Sequence, residues 1–185
     1  PCGLSMILGV VFSVTIDADG SQRGTAGVCS VTVTASDNAG GHTTSTFDYT
    51  VSNVAPTDTE IAHQSADAAR VVSLAVSGSF SDADNDTLTY NATGLPGGLS
   101  MSSAGVITGT IDADASQGGT DGVYSVTVTA SDNEGGTTTS TFDYTVRNVA
   151  ATETEIADQS ADDAGVVCLE GSGSVSDADN DTLTY

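Results

Sequence analysis

The strongest constraint on this chain is an internal repeat. "VCSVTVTASDNAGGHTTSTFDYTVSNVA" (Val28–Ala55) returns as "VYSVTVTASDNEGGTTTSTFDYTVRNVA" (Val123–Ala150). "SDADNDTLTY" stands at Ser81–Tyr90 and again at Ser176–Tyr185, and "PCGLSM" at Pro1 returns as "PGGLSM" at Pro96. The offset is 95 each time (123 − 28, 176 − 81, 96 − 1), so no insertion separates the copies. A fixed period of this length marks one structural unit used in tandem. The boundary falls at "NVAPT" (Asn53–Thr57) and "NVAAT" (Asn148–Thr152). The chain then divides into the back part of a repeat (1–54), a complete repeat (55–149) and the front part of another (150–185). Neither part has enough strands to fill a core alone. Two arrangements would complete them. The sequence could continue as a longer array, or residues 1–54 of a neighbouring copy could finish 150–185. Either way the expected partner is more of the same protein.

Within one repeat the pattern is that of strands. In "VYSVTVTAS", Tyr124, Val126, Val128 and Ala130 share one face while Ser125, Thr127 and Thr129 share the other. "STFDYTV" alternates in the same way through Phe142, Tyr144 and Val146. Strict alternation marks a half-buried strand. "VVSLAVSGSF", "TLTYNAT", "GVITGTI" and a short "TEIAHQS" complete the set, and no run has helical spacing. About seven short strands between Gly-rich turns predict an all-β fold, an antiparallel β-sandwich. The abundance of Val and Thr fits, because branched side chains suit a pleated surface.

The charge is one-sided: 25 acids face three Lys or Arg, for a net charge of -22. Such a surface repels nucleic acid and anionic lipid, which excludes both as partners. It also repels itself, so compact folding calls for hydrated acids or bound cations. No stretch approaches the roughly 18 apolar residues of a membrane helix, so membrane insertion is not expected. "MILGVVFSVTI" (Met6–Ile16) reads as strand. His42 and His63 align with Thr137 and Asp158 one period on, so neither belongs to a repeated site. No set of nucleophile, base and orienting group can be assembled, and catalysis is not expected.

The segments "SFSDADNDTLTYNATGLPGGLSMSSAGVITGTIDADAS" and "YSVTVTASDNEGG" carry a family likeness. The unit resembles a bacterial cadherin-like domain of the dystroglycan type, related to immunoglobulin-like tandem repeats of large extracellular surface proteins. The likeness spans the complete repeat and, in pieces, both flanks. It implies an extracellular location and a role in structure or cell adhesion. A full repeat has three acidic stations: Asp82, Asp84 and Asp86; Asp112 and Asp114; and Asp132 with Asn133 and Glu134. Calcium takes six to eight oxygen ligands in a flexible shell, and acids spaced through a turn can converge on one ion. The resemblance implies that Asp82, Asp84, Asp112, Asp114, Asp132 and Asn148 bind Ca2+, with Asp86 in the same station. The matching positions are Asp17, Asp19 and Asp37 in the first repeat, and Asp177, Asp179 and Asp181 in the third. The linker "NVAP" departs from the acid-rich linker of adhesive cadherins, which implies fewer ions at the junction. The same acids also suit solvated turns, where Asp and Asn bond their own backbone.

Cys2, Cys29 and Cys168 all lie outside the complete repeat. A bridge between Cys29 and Cys168 would resemble the one joining the facing sheets of immunoglobulin domains. Parity opposes it, since Cys29 falls on the inward face and Cys168 adjoins inward Leu169. Together these readings describe a calcium-stiffened filament, sheath or adhesin stalk. The alternative is an adhesion module that binds cell-surface glycans. That reading calls for aromatic residues at a loop tip, whereas Phe80, Tyr90, Tyr124, Phe142 and Tyr144 mostly fall at inward positions.

Overall fold

The computed structural model describes residues 4–5, 13–14, 27–36, 39–156, 158, 160, 163, 174–179 and 181–184. It is an antiparallel β-sandwich protein, as the alternation predicts. The chain forms two units. The first comprises Pro1–Thr59, Gly78–Tyr90 and Thr129–Thr139, and the second Glu60–Ser77, Asn91–Val128 and Ser140–Tyr185.

Fifteen strands are present among the described residues. In the first unit, β1 (Leu4–Ser5) pairs with β2 (Ser13–Val14), and β3 (Val28–Ser36) pairs with β4 (His42–Thr50) in an antiparallel hairpin. The rest of the predicted strand at Met6–Ile16, beyond Ser13–Val14, lies outside the described residues. β5 (Thr57–Asp58) pairs with β8 (Phe80–Ser81). The complete repeat adds β6 (Gln64–Asp67), β7 (Val71–Ala75), β9 (Thr89–Thr93), β10 (Leu99–Met101), β11 (Val106–Thr110), β12 (Val123–Ser131) and β13 (Thr137–Arg147). One sheet has the order β6-β13-β12-β9 and the other β10-β11-β7. β6 runs parallel to β13, with Tyr144 opposite Gln64 and Val146 opposite Ala66. β14 (Thr152–Glu153) pairs with β15 (Val175–Ser176) one period after β5 and β8.

The core lies in the second unit. Ile107, Val126 and Val128 are completely buried, and Ile111, Phe142, Tyr144 and Val146 are nearly so. These are the inward positions of the alternation, and their removal from water drives the packing. Tyr124 shares their parity but is only half-buried, and its hydroxyl donates to the Ala115 carbonyl at 2.7 Å. In the first unit Phe80 and Tyr90 meet edge to face, with ring centroids 5.5 Å apart.

Two local features depart from the predicted strands. "VVSLAVSGSF" is broken by a 3-10 turn at Ser77–Ser79, so Phe80 begins a separate strand. "LSM" forms β10, although three residues are too few to show alternation. Gly98 permits the preceding turn: its φ is +82°, and a Cβ there would run into the Thr110 carbonyl.

Candidate metal centre

The "SDADND" turn forms because Asp82 folds the backbone around its own carboxylate. Asp82 Oδ1 accepts the N–H groups of Asp84 (3.2 Å) and Asp86 (3.1 Å). Asn85 takes φ +66°, a left-handed conformation that Asn tolerates better than most residues. The turn after β12 uses the same device. Asp132 Oδ1 accepts the N–H groups of Glu134 (2.8 Å) and Gly136 (2.9 Å), and Asn133 also takes φ +66°. Asn133 ties the two turns together by donating from Nδ2 to the Thr87 carbonyl at 3.0 Å.

Both turns close on the linker. Asn53 donates from Nδ2 to Asp132 Oδ2 at 2.7 Å, and the Val54 N–H donates to Asp84 Oδ2 at 3.0 Å. All of these residues belong to the first unit. One carboxylate oxygen from each of Asp82, Asp84 and Asp86 lies within 4.8 Å of the others. Asn85, Asp86, Thr87, Asp132, Asn133 and Glu134 line a cleft of about 340 Å³ beside them.

The electrostatics show acids brought together against their repulsion. Burial, and then the close approach of the Asp84 carboxyl, push the Asp82 carboxyl up. Asp84 is held low by the neighbouring Asp82 carboxyl and by the Val54 N–H. Burial pushes Asp86 up as well, reinforced by the charges of Glu134, Asp84, Asp82 and Asp132. Asp132 is buried too, but bonds from Asn53, Glu134 and Gly136 outweigh the desolvation and hold it below the usual range. Meanwhile Asn53 Oδ1, Asp82 Oδ2 and Asp84 Oδ1 are buried with no hydrogen-bond partner among the described residues. Buried acceptors are nearly always satisfied, so three orphaned oxygens in one turn system call for a donor or a cation.

One period on, the second unit repeats the arrangement. Asp177 Oδ1 accepts the N–H groups of Asp179 (3.2 Å) and Asp181 (3.0 Å), and Asp179 Oδ2 accepts the Val149 N–H at 2.9 Å. These three acids again bring one oxygen each within 4.8 Å of one another. Asp179 is completely buried, and its Oδ1 has no partner among the described residues. The close approach of the Asp177 carboxyl pushes its own carboxyl up.

The remaining predicted ligands are placed as follows. Asp112 and Asp114 join neither cluster. Asp112 precedes the 3-10 helix Ala113–Gln117 and packs against Gly97 and Gly98, while Asp114 lies in the helix's first turn. That helix is tied to the second turn system. Ser116 donates to Asn148 Oδ1 at 3.4 Å, and Gln117 donates to Asp181 Oδ1 at 2.9 Å. Asp17, Asp19 and Asp37 lie outside the described residues, as does Cys168. Cys29 is buried and disulfide-bonded. Asn53, not among the predicted ligands, stands 95 residues before Asn148 and is open to the same argument.

Residues 55–147, half of the chain, match the family model described as "Putative Ig domain". The chain belongs to this immunoglobulin-like family. Immunoglobulin-like domains commonly serve outside the cell as adhesion or structural modules, and the fold is typically non-enzymatic. Among the described residues no helix is long and apolar enough to cross a membrane. No curated protein matches the chain. Among solved structures, the chain is similar to Drosophila N-cadherin EC1-4, at 17% identity over 65% of this chain and 32% of that one, with TM-score 0.40. A putative α-galactosidase/melibiase from Bacteroides fragilis matches at 18% identity over 52% of this chain and 18% of that one, with TM-score 0.40. An endo-fucoidan hydrolase of glycoside hydrolase family 107 matches at 20% identity over 81% of this chain and 23% of that one, with TM-score 0.44. The immunoglobulin-like chain thus spans less than a third of the length of each of these proteins, and likenesses this distant assign it no activity.

Proposed function

We propose that this protein is an extracellular structural module in which calcium locks the linkers between successive sandwich repeats. The observation that carries this reading is the set of orphaned buried oxygens on Asn53, Asp82 and Asp84, within a turn system that grips the linker. The donor set is all oxygen, with no sulfur or imidazole, which suits a hard cation rather than zinc. Its carboxylates and amide exceed what magnesium usually takes from a protein, since magnesium keeps most of its waters. Asp82, Asp84, Asp86, Asp132, Glu134 and Asn53 would hold the ion at the first junction. Asp177, Asp179, Asp181 and Asn148 would do so at the second.

The protein's own contribution is to hold these groups in place before the ion arrives. The first turn uses one oxygen of Asp82 for the backbone and leaves the other for the site. The bond from Val54 to Asp84, repeated from Val149 to Asp179, fixes the linker to the turn. A cation that satisfies the remaining oxygens would cancel their repulsion and stiffen the joint. Function would then lie in reach and rigidity, as in a filament, sheath or stalk, and not in catalysis.

Calorimetric titration of the metal-free chain with CaCl2 tests this. Saturable binding is expected, reduced to one class of site by Asp82→Asn combined with Asp84→Asn. No heat of binding, or binding that survives the same double change at both junctions, would overturn the reading.

A further inference from the structure

One face of this acidic chain carries no charge. Residues 71–81 and 87–111 contain no Asp, Glu, Lys or Arg, although the chain as a whole is 15% charged. That share would place about five charges in these 36 residues. The two stretches supply all three strands of the sheet β10-β11-β7. The register sets Thr108 between Ser100 and Ser73, and Thr110 beside Val71. Ile107, completely buried, marks the inner face. The outer face therefore carries Val71, Ser73, Ala75, Ser100, Thr108 and Thr110, all exposed. Val71 is 74% exposed.

Outward positions elsewhere in the same unit differ. On β6 and β13 they include Asp67, Asp143 and Arg147, all exposed. The neutral face also recurs one period away. Residues 1–16 lack any charge, although "SSAGVITGTI" (Ser102–Ile111) is replaced there by "ILGVVFSVTI" (Ile7–Ile16). β1 and β2 keep the register, with Ser5 opposite Ser13 as Ser100 is opposite Thr108. Native proteins guard exposed sheet edges with charge, above all with Lys. Among the described residues neither β7 nor β10 has a further strand paired on its outer edge, and neither carries a charge.

We propose that the outer face of sheet β10-β11-β7 is a self-association surface that takes the same face of a second copy of this chain. Charge selects this occupant. Two copies, each at -22, repel wherever their carboxylates would stand opposite one another. On this face they can close with no ionised side chain in the contact, so no charge has to be desolvated. The hydroxyls of Ser73, Ser100, Thr108 and Thr110 both donate and accept, so the face is a hydrogen-bonding partner for its own copy, and Val71 adds apolar area. The same patch on both partners makes the contact isologous, closing at the dimer. Three strands about 4.8 Å apart, rising about 3.3 Å per residue, cover roughly 200 Å². Stable complexes cover about 800 Å² per partner, so this contact is weak and exchanges quickly. No residue assigned to the cation sites lies on it, and it does not need the ion.

The test is a series of amide nitrogen–proton correlation spectra of the full chain, with chelator present, from micromolar to millimolar concentration. Shifts that grow with concentration are expected at residues of β7, β10 and β11. They should grow further with NaCl, which screens the -22 charge. Thr108→Asp and Ser73→Asp should each weaken the association about tenfold or more, because both copies then bring a carboxylate into the contact. Ser73 lies on an edge strand, so its variant keeps the test available if Thr108→Asp, in the central strand, melts early. Ser125→Asp adds the same charge at an exposed position of β12 and should leave the association unchanged. Shifts that never appear, that map to other strands, or that respond equally to Ser125→Asp would overturn the proposal. A chain that stays monomeric while dextran shifts the same residues would do so as well, and would make this a glycan surface.

Discussion

Removing calcium should reverse the sign of this protein's response to acid. In the metal-free state, burial and mutual repulsion raise the Asp82 and Asp86 carboxyls above 3.8, the ordinary value. A raised carboxyl binds its proton more tightly in the folded state than in the unfolded one. Stability therefore increases as pH falls through the folded value, and the gain is complete near the unfolded one. Asp132 and Asp84 act oppositely, because their values are lowered. Their contribution is present at neutral pH and is lost only below about pH 4. Between neutral pH and about pH 4 the metal-free protein should thus gain stability on acidification. With calcium bound, the ligands must stay ionised, so acidification expels the ion instead. Extracellular calcium modules bind with Kd on the order of 10⁻⁴ M, and an ion at 100 times its Kd stabilises by about 2.7 kcal/mol. A domain of this size shifts by roughly 4–8 °C per kcal/mol, which gives a calcium increment of about 10–20 °C at neutral pH. Thermal melts followed by circular dichroism, on dialysed protein with and without CaCl2, would show two curves converging as pH falls. Magnesium at matched ionic strength controls for general screening of the -22 charge. Asp82→Asn separates the site from that background, since it should lose the increment at its own junction. Parallel curves, or a metal-free melt that falls steadily from neutral pH, would refute this account.

Three further outcomes follow from packing and backbone conformation. Phe142→Ala should destabilise the complete repeat by about 3–5 kcal/mol in urea unfolding, because the ring is 1% exposed. Phe47→Ala, the same change one period earlier, should cost under about 1 kcal/mol in dilute solution, and equal costs would contradict the difference in burial. Gly98→Ala should lower the melting temperature by an amount equivalent to about 1–3 kcal/mol, since both its φ of +82° and the Thr110 carbonyl oppose a Cβ.

The sequence revealed the parts of this fold that depend on periodicity. Val126, Val128, Phe142, Tyr144 and Val146 alternate along their strands, and all are buried. What depends on cover was not legible in the same way. Phe47 has the parity of Phe142, yet parity records only which face a side chain occupies, not whether another strand lies over it. The acidic stations divide along a similar line. Their residue types offer oxygen donors, but "DADND" and "DNEGG" do not say which oxygen remains after the backbone has been bonded. Asp82 and Asp132 each commit one oxygen to two N–H groups, and only the folded turn shows this. Asp112 has the D-x-D spacing of a ligand pair with Asp114, and the structure seats it against Gly97 and Gly98, where the missing side chains leave room for a carboxylate. Asn53 could have been found from the period alone, because a ligand role argued for Asn148 applies equally 95 residues earlier. In a repeat protein the most useful question about any residue is what happens to its counterpart. Matched positions with unmatched burial, such as Phe47 with Phe142 and Ile156 with Ile61, separate what the side chain determines from what its neighbours supply.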